Sequence, residues 1–217
     1  MVNPSPTLQT VPTDTWVKAT WEEFLTFADD PTLVTGRFYY DEGYMRIEMA
    51  ALGSAHGRYN SIVSTVVILF AAIKNIRIIE FTNCSFRKIG IRECQTDIAF
   101  CIGSSFQFPP RNNSPINLNE LEPPTLVVEV GASSLSDDLE RKQLLYKRLG
   151  VQEYWVVDVG AGQVTAFGIS RGESSRIQVS QVLPGLGISL IEEALKRSQT
   201  EDDGAISRWL LTTISQP

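Results

Sequence analysis

The chain predicts an α/β fold in which helices and a mixed β-sheet share one hydrophobic core, and three observations lead there. Residues 54–74 place apolar side chains at helical spacing. Residues 76–102 and 125–130 switch to period-two or short continuous apolar runs. A second helical segment ends at Gly150 and is followed at once by the strand EYWVVDV. With 217 residues, 43% of them hydrophobic, one core of roughly 150–200 residues is affordable. The expected organisation is a flexible tail at 1–15, a single domain at 16–198 and a C-terminal extension at 199–217.

Each element has its own local cause. The first fifteen residues hold three prolines and four threonines and almost nothing apolar, so burial cannot offset the entropy of ordering them. Thr20 and Glu23 have the spacing of a capping box, which opens a short helix carrying Trp21, Phe24, Leu25 and Phe27. Phe38 to Met49 read as a hairpin turning at Asp41-Glu42-Gly43. Tyr59, Ile62, Val63, Val66, Val67, Phe70 and Ile73 make 54–74 the long core helix, with Ser54 as its expected N-cap. Strands are expected near 76–82, 85–89, 92–102 and 125–130, with the Pro-, Asn- and Ser-rich stretch 103–124 as a surface flap.

Asp137 and Glu140 suggest a second cap, of a helix that Gly150 terminates. After EYWVVDV, strands near 163–169 and 176–182 follow, joined by a Gly-Ser turn. Pro184-Gly185 then leads to a helix near 190–198. In the extension, acidic Glu201, Asp202 and Asp203 precede apolar Trp209, Leu210, Leu211 and Ile214, a segment suited to docking on the core or on a partner subunit.

Composition excludes several function classes. No apolar run approaches the roughly 18 residues needed to span a bilayer, and the opening residues lack the layout of a signal peptide, so a cytoplasmic protein without membrane contact is expected. Nineteen Lys and Arg against 25 Asp and Glu leave a net charge of −6, so any phosphate binding must be local. Cys84, Cys94 and Cys101 are odd in number without CxxC spacing, which argues against a disulfide framework or a structural zinc site. One histidine, His56, leaves no multi-histidine metal site in a monomer. Catalysis must therefore rest mainly on carboxylates and lysine.

Three residues sit in surroundings that do not suit them. Glu129 interrupts the apolar strand TLVVEV, as a buried carboxylate needing a cation or donors, or as an edge-strand residue facing water. Asp97 opens the apolar run after QT in QTDIAFCI, where a strand-entry turn would also place an acid. Two acids on neighbouring core strands are the usual way to bind Mg²⁺, which takes one or two protein carboxylates and fills its other positions with water and substrate phosphates. Lys142 falls in the helical stripe Leu135, Leu139, Lys142, Tyr146, Leu149, from which it can snorkel to solvent or serve a carboxylate–metal centre.

Two weaker signals concern phosphate. His56, near the start of the long helix, can contact phosphate or cap that helix. Lys74, Arg77, Arg87, Lys88 and Arg92 against Glu80 give residues 74–92 a charge of +4, either a phosphate-contacting surface or a solvated hairpin whose charges pair elsewhere.

From about Trp21 to Lys196 the chain resembles the uncharacterised restriction-endonuclease-like proteins of the PD-(D/E)XK nuclease superfamily. GSAHG, QTDIAF, PPTLVVEV, SDDLERKQLLYKRLGVQEYWVVDV and VLPGLGISLIEEAL carry the resemblance, the middle two blocks after the first being the most specific. It implies a restriction-endonuclease-like core, with a central mixed sheet flanked by helices and an N-terminal helix and hairpin. It also implies an active site of a strand acid, an acid on the next strand and a lysine moved to the following helix, matched here by Asp97, Glu129 and Lys142. Thr96 stands where the proline of "PD" would be, Gly131 where the lysine of E-x-K would be, and Tyr39 where many members have a glutamate.

The expectation is a Mg²⁺-dependent (or Mn²⁺-dependent) endonuclease hydrolysing phosphodiester bonds of nucleic acid, DNA above all, by metal-activated water. Asp97, Glu129 and the Val130 carbonyl would hold the metal, Lys142 would serve the water, and Arg87, Lys88, Arg92 and His56 would contact the nucleic acid. Cutting both strands requires two sites, so a homodimer is expected. The alternative is a catalytically inactive nuclease-like binding or assembly module.

Overall fold

A computed structural model of the chain describes residues 13–33, 36–49, 53–131 and 135–216; residues 1–12 of the expected tail lie outside them. The chain divides into two compact units, one drawn from 1–51, 85–95 and 111–120, the other from 52–84, 96–110 and 121–217.

The first unit is built on β1 (Val17–Lys18), α1 (Trp21–Ala28), β2 (Arg37–Asp41) and β3 (Tyr44–Glu48). The expected capping box is present. Thr20 Oγ1 accepts the Glu23 N–H at 3.2 Å, and Glu23 Oε2 accepts the Thr20 N–H at 2.8 Å. β2 and β3 pair from Arg37–Glu48 to Asp41–Tyr44. Their two-residue turn puts Glu42 at φ 50° and Gly43 at φ 78°, the twist a tight hairpin needs. One face of the hairpin, with Phe38, Tyr40, Met45 and Ile47, closes on Phe24 and Phe27 of α1.

Two long strands follow, β4 (Ile78–Lys88) and β5 (Arg92–Ile102). β4 is continuous where two strands are expected, although Asn83 takes φ 49° in mid-strand, a conformation asparagine tolerates better than most residues. In the first unit, β6 (Ile116–Asn117) lies parallel to β4 at Phe86–Ile116 and Arg87–Asn117. It is the one strand within the expected flap at 103–124.

The second unit adds α2 (Ser54–Ile73), β7 (Leu126–Gly131), α3 (Leu135–Asp137), α4 (Gln143–Leu149), β8 (Glu153–Asp158), β9 (Gln163–Ser170), β10 (Glu173–Ile177), α5 (Ile188–Arg197) and α6 (Asp203–Ile214). Its strands run in the order β5-β7-β8-β9-β10, antiparallel except for the β7–β8 pair. A parallel pair needs a crossover, and the helical segment between β7 and β8 supplies it.

Four local expectations are corrected. The N-cap of α2 is Gly53, with Ser54 already helical and no side-chain cap bond. Asp137 is no cap: its φ and ψ are −68° and −40°, inside a helix already begun at Leu135. The β9–β10 turn is Arg171-Gly172, at φ 51° and 77°. β10 ends at Ile177, and beyond it only a Val179–Gly187 bridge continues the expected strand.

The core gathers on one face of this sheet. Ile98 and Phe100 of β5, Leu126, Val128 and Val130 of β7 and Trp155 and Val157 of β8 pack with α2, α5 and α6. The C-terminal extension thus docks on the core of its own chain, burying Ile206, Leu210 and Ile214, with Asp202 Oδ1 capping α6 through the Ala205 N–H at 2.9 Å. Because strand side chains alternate, Asp97 and Glu129 belong to the opposite face. There the Tyr146 ring of α4 packs on Tyr154 of β8 at 4.9 Å.

Candidate active site

The acids come together through strand pairing. β5 and β7 pair through Ile98–Val128, and one residue further along stand Asp97 and Glu129, 3% and 1% exposed. Burial of this degree rules out the strand-entry and edge-strand readings for both. A buried carboxylate must be met by donors or cations. Asp97 Oδ2 accepts the Val130 main-chain N–H at 2.8 Å, and its Oδ1 lies 3.2 Å from His56 Nε2. Glu129 Oε1 accepts a short hydrogen bond from the Tyr146 hydroxyl.

Lys142 does not snorkel. Its side chain is 1% exposed, with Nζ 3.0 Å from Asp138 Oδ1 and 3.9 Å from Glu129 Oε2. Between α3 and α4 the helix widens to a π-helical turn over Asp138–Lys142. Such turns rotate the side-chain pattern away from α-helical spacing. The stripe of 3.6-residue period expected Leu139 inside, but the turned helix buries Asp138 and leaves Leu139 half-buried. The Asp138 carbonyl is in turn bonded by the Tyr154 hydroxyl at 3.0 Å.

Asp138 and the phenolic role of Tyr146 were not singled out in the sequence. The available signal was the D-x-x-x-K spacing of Asp138 and Lys142, which on any helix brings acid and lysine within reach. By contrast, the wholly buried Glu153 has a structural role: it takes bonds from Trp155 Nε1, Ser180 Oγ and the N–H groups of Gln181 and Val182.

Of the residues expected to meet nucleic acid, Arg87, Lys88 and Arg92 lie in the first unit, whereas His56 lies in the second, beside Asp97. Arg87 Nε pairs closely with Glu93, and its terminal nitrogens reach Asp29, at 2.7 Å for the nearer. Arg92 Nε bonds Asp41 Oδ1 at 2.8 Å. Both guanidinium groups are spent on carboxylates, whereas Lys88 is half-buried on β4. Burial pushes the Glu93 carboxyl up to about 7 against the opposing pull of Arg87. Burial likewise lifts the thiols of Cys84 and Cys101 to about 11, so neither offers a thiolate at neutral pH.

Among the described residues no group of three or more His, Cys, Asp or Glu side chains is arranged to hold a metal ion. The residues that could offer oxygens to a cation on this face are the two buried carboxylates Asp97 and Glu129. Hard oxygens in that number suit Mg²⁺, which leaves most of its positions to water and phosphate. No helix among the described residues is long and apolar enough to cross a membrane.

Comparison with known proteins bears on the fold and the family. A crystal structure of a putative nuclease belonging to DUF820 from Anabaena variabilis superposes with a TM-score of 0.56 at 21% identity, covering 81% of this chain and 98% of that one. The shared fold is restriction-endonuclease-like. Among curated proteins, none matches. The family model described as "Uma2: Putative restriction endonuclease" matches residues 21–200, from the first turn of α1 to just past α5, and the chain belongs to that family.

Proposed function

We propose that this protein is a divalent-metal-dependent endonuclease that hydrolyses phosphodiester bonds of nucleic acid, with DNA as substrate and Mg²⁺ (or Mn²⁺) as cofactor. The observation that carries the reading is the pair of buried acids on adjacent strands, Asp97 and Glu129, with the buried ammonium of Lys142 3.9 Å from Glu129. In this reading Asp97 and Glu129, with the Val130 carbonyl, hold the ion. Bound there, the ion would lower the pKa of a coordinated water and offset charge on the phosphate.

The side chains do the rest. Asp97 is held by the Val130 N–H, with His56 beside it, and Glu129 by the Tyr146 hydroxyl, so each carboxylate is oriented by a donor of its own. Lys142 orients the attacking water by hydrogen bonding and stabilises negative charge that develops on the phosphoryl oxygens. Among the described residues there is one such pair of acids with its lysine, so double-strand cleavage would use a homodimer. Cytoplasmic residence remains part of the proposal.

A second reading, an inactive binding or assembly module, is favoured by the neutralisation of Arg87 and Arg92 by Asp29, Glu93 and Asp41. Incubation of purified protein with plasmid, single-stranded DNA and RNA, with Mg²⁺, Mn²⁺ or EDTA, separates the two. Metal-dependent cleavage lost in Asp97→Asn and Glu129→Gln supports the nuclease; no cleavage of any substrate supports the module.

A further inference from the structure

We infer that Asp138 is a positioning residue whose carboxylate holds the Lys142 ammonium off Glu129 and so keeps Glu129 available to a divalent cation. The inference rests on the metal reading of Asp97 and Glu129. Lys142 Nζ is 3.0 Å from Asp138 Oδ1 but 3.9 Å from Glu129 Oε2, so the closer ion pair is with Asp138 and the longer contact is to the proposed ligand. All three side chains are at most 2% exposed, so water cannot take over the pairing of any of them.

The local structure is built for this division. The π-helical turn over Asp138–Lys142 brings Asp138 inward beside Lys142, and the Tyr154 hydroxyl anchors the Asp138 carbonyl at 3.0 Å. Charge arithmetic points the same way. Asp97, Glu129 and Asp138 against Lys142 sum to −2 when ionised, the complement of one divalent cation. Without Asp138 the ammonium keeps its ion pair with Glu129, and a lysine drawn onto those oxygens competes directly with the metal for them.

Binding of Mn²⁺ alone, followed through the EPR signal of the free ion, tests this without reference to catalysis. Asp138→Asn should weaken Mn²⁺ binding about tenfold, the scale of one charge-assisted contact. In a Lys142→Met background there is no ammonium to restrain, so adding Asp138→Asn should change the affinity by less than about threefold. The inference is overturned if Asp138→Asn binds Mn²⁺ like the parent, or if removing Asp138 weakens binding equally in the Lys142→Met background, since Asp138 would then act on the ion directly. Should Asp138→Asn alone fail to fold, Asp138→Ser replaces it in both backgrounds, and the same contrast supports or overturns the inference. A parent protein that binds no Mn²⁺, or binds it unchanged after Glu129→Gln, instead refutes the metal reading itself.

Discussion

Asp97 reaches from one strand to the backbone of the next: its Oδ2 accepts the Val130 main-chain N–H at 2.8 Å, just past the last β5–β7 pair at Ile98–Val128. A side chain takes over where the ladder stops, satisfying a buried donor and fixing the carboxylate beside Glu129. The chemistry proposed for this protein depends on that fixation, and so do the tests below.

Lys142→Met keeps the length and apolar stem of the side chain while deleting its charge. Cleavage measured under single-turnover conditions in saturating Mg²⁺ should fall by about two orders of magnitude, comparable to losing one transition-state donor. Far-UV circular dichroism should be unchanged. A variant cutting at the parental rate would remove Lys142 from the mechanism.

Tyr146→Phe preserves the ring packed at 4.9 Å on Tyr154 but removes the hydroxyl that Glu129 accepts. Urea denaturation should show a loss of about 1–3 kcal/mol, the cost of an unsatisfied buried acceptor. Equal midpoints and slopes in the two proteins would show that the phenol does not support Glu129.

Glu93 sets a pH dependence of folding. Its folded carboxyl titrates at about 7, above the unfolded value near 4.5, so between these limits the native state binds more protons than the unfolded one. The stability contributed by Glu93 is full below about pH 4.5 and declines as pH rises through about 7, by at most about 1.4 kcal/mol per unit. The difference in unfolding free energy between parent and Glu93→Gln, measured from pH 5 to 8, should slope accordingly; a flat difference would contradict it.

Lys88, rather than Arg87, is the clean probe of phosphate contact on β4. Arg87→Ala leaves Glu93 buried without its partner and should cost about 3 kcal/mol of stability, so its effect on binding would be confounded. Lys88→Ala should lower the slope of log K against log salt by about 0.9 if it meets one phosphate of duplex DNA. An unaltered slope would remove it from the interface.

The last helix contributes to stability. Leu210 is fully buried among α2 and α5 side chains, so Leu210→Ala should destabilise the protein by about 2–5 kcal/mol in thermal or urea unfolding. A change below the lower bound would mean that the docking of α6 adds little.

The amino-acid sequence determined what local chemistry can determine. Thr20 and Glu23 specify a helix start by themselves, Glu42-Gly43 specify a tight turn, and the spacing from Tyr59 to Ile73 specifies an apolar helix face, because each acts over a few residues. The misfit of Asp97, Glu129 and Lys142 with apolar surroundings was equally legible, since desolvation cost attaches to residue type. Only the tertiary structure decided which groups meet these charges. The Val130 N–H, the Tyr146 hydroxyl and His56 come from distant positions, brought close by strand register and by packing across the sheet. Asp138 escaped sequence reading for a different reason: a π-helical turn breaks the 3.6-residue period on which such reading relies, and turns an acid inward where the pattern expected Leu139. Likewise, the charges of Arg87 and Arg92 look like a surface for phosphate until folding sets Asp29, Glu93 and Asp41 against them, pairings between residues that sequence proximity does not reveal.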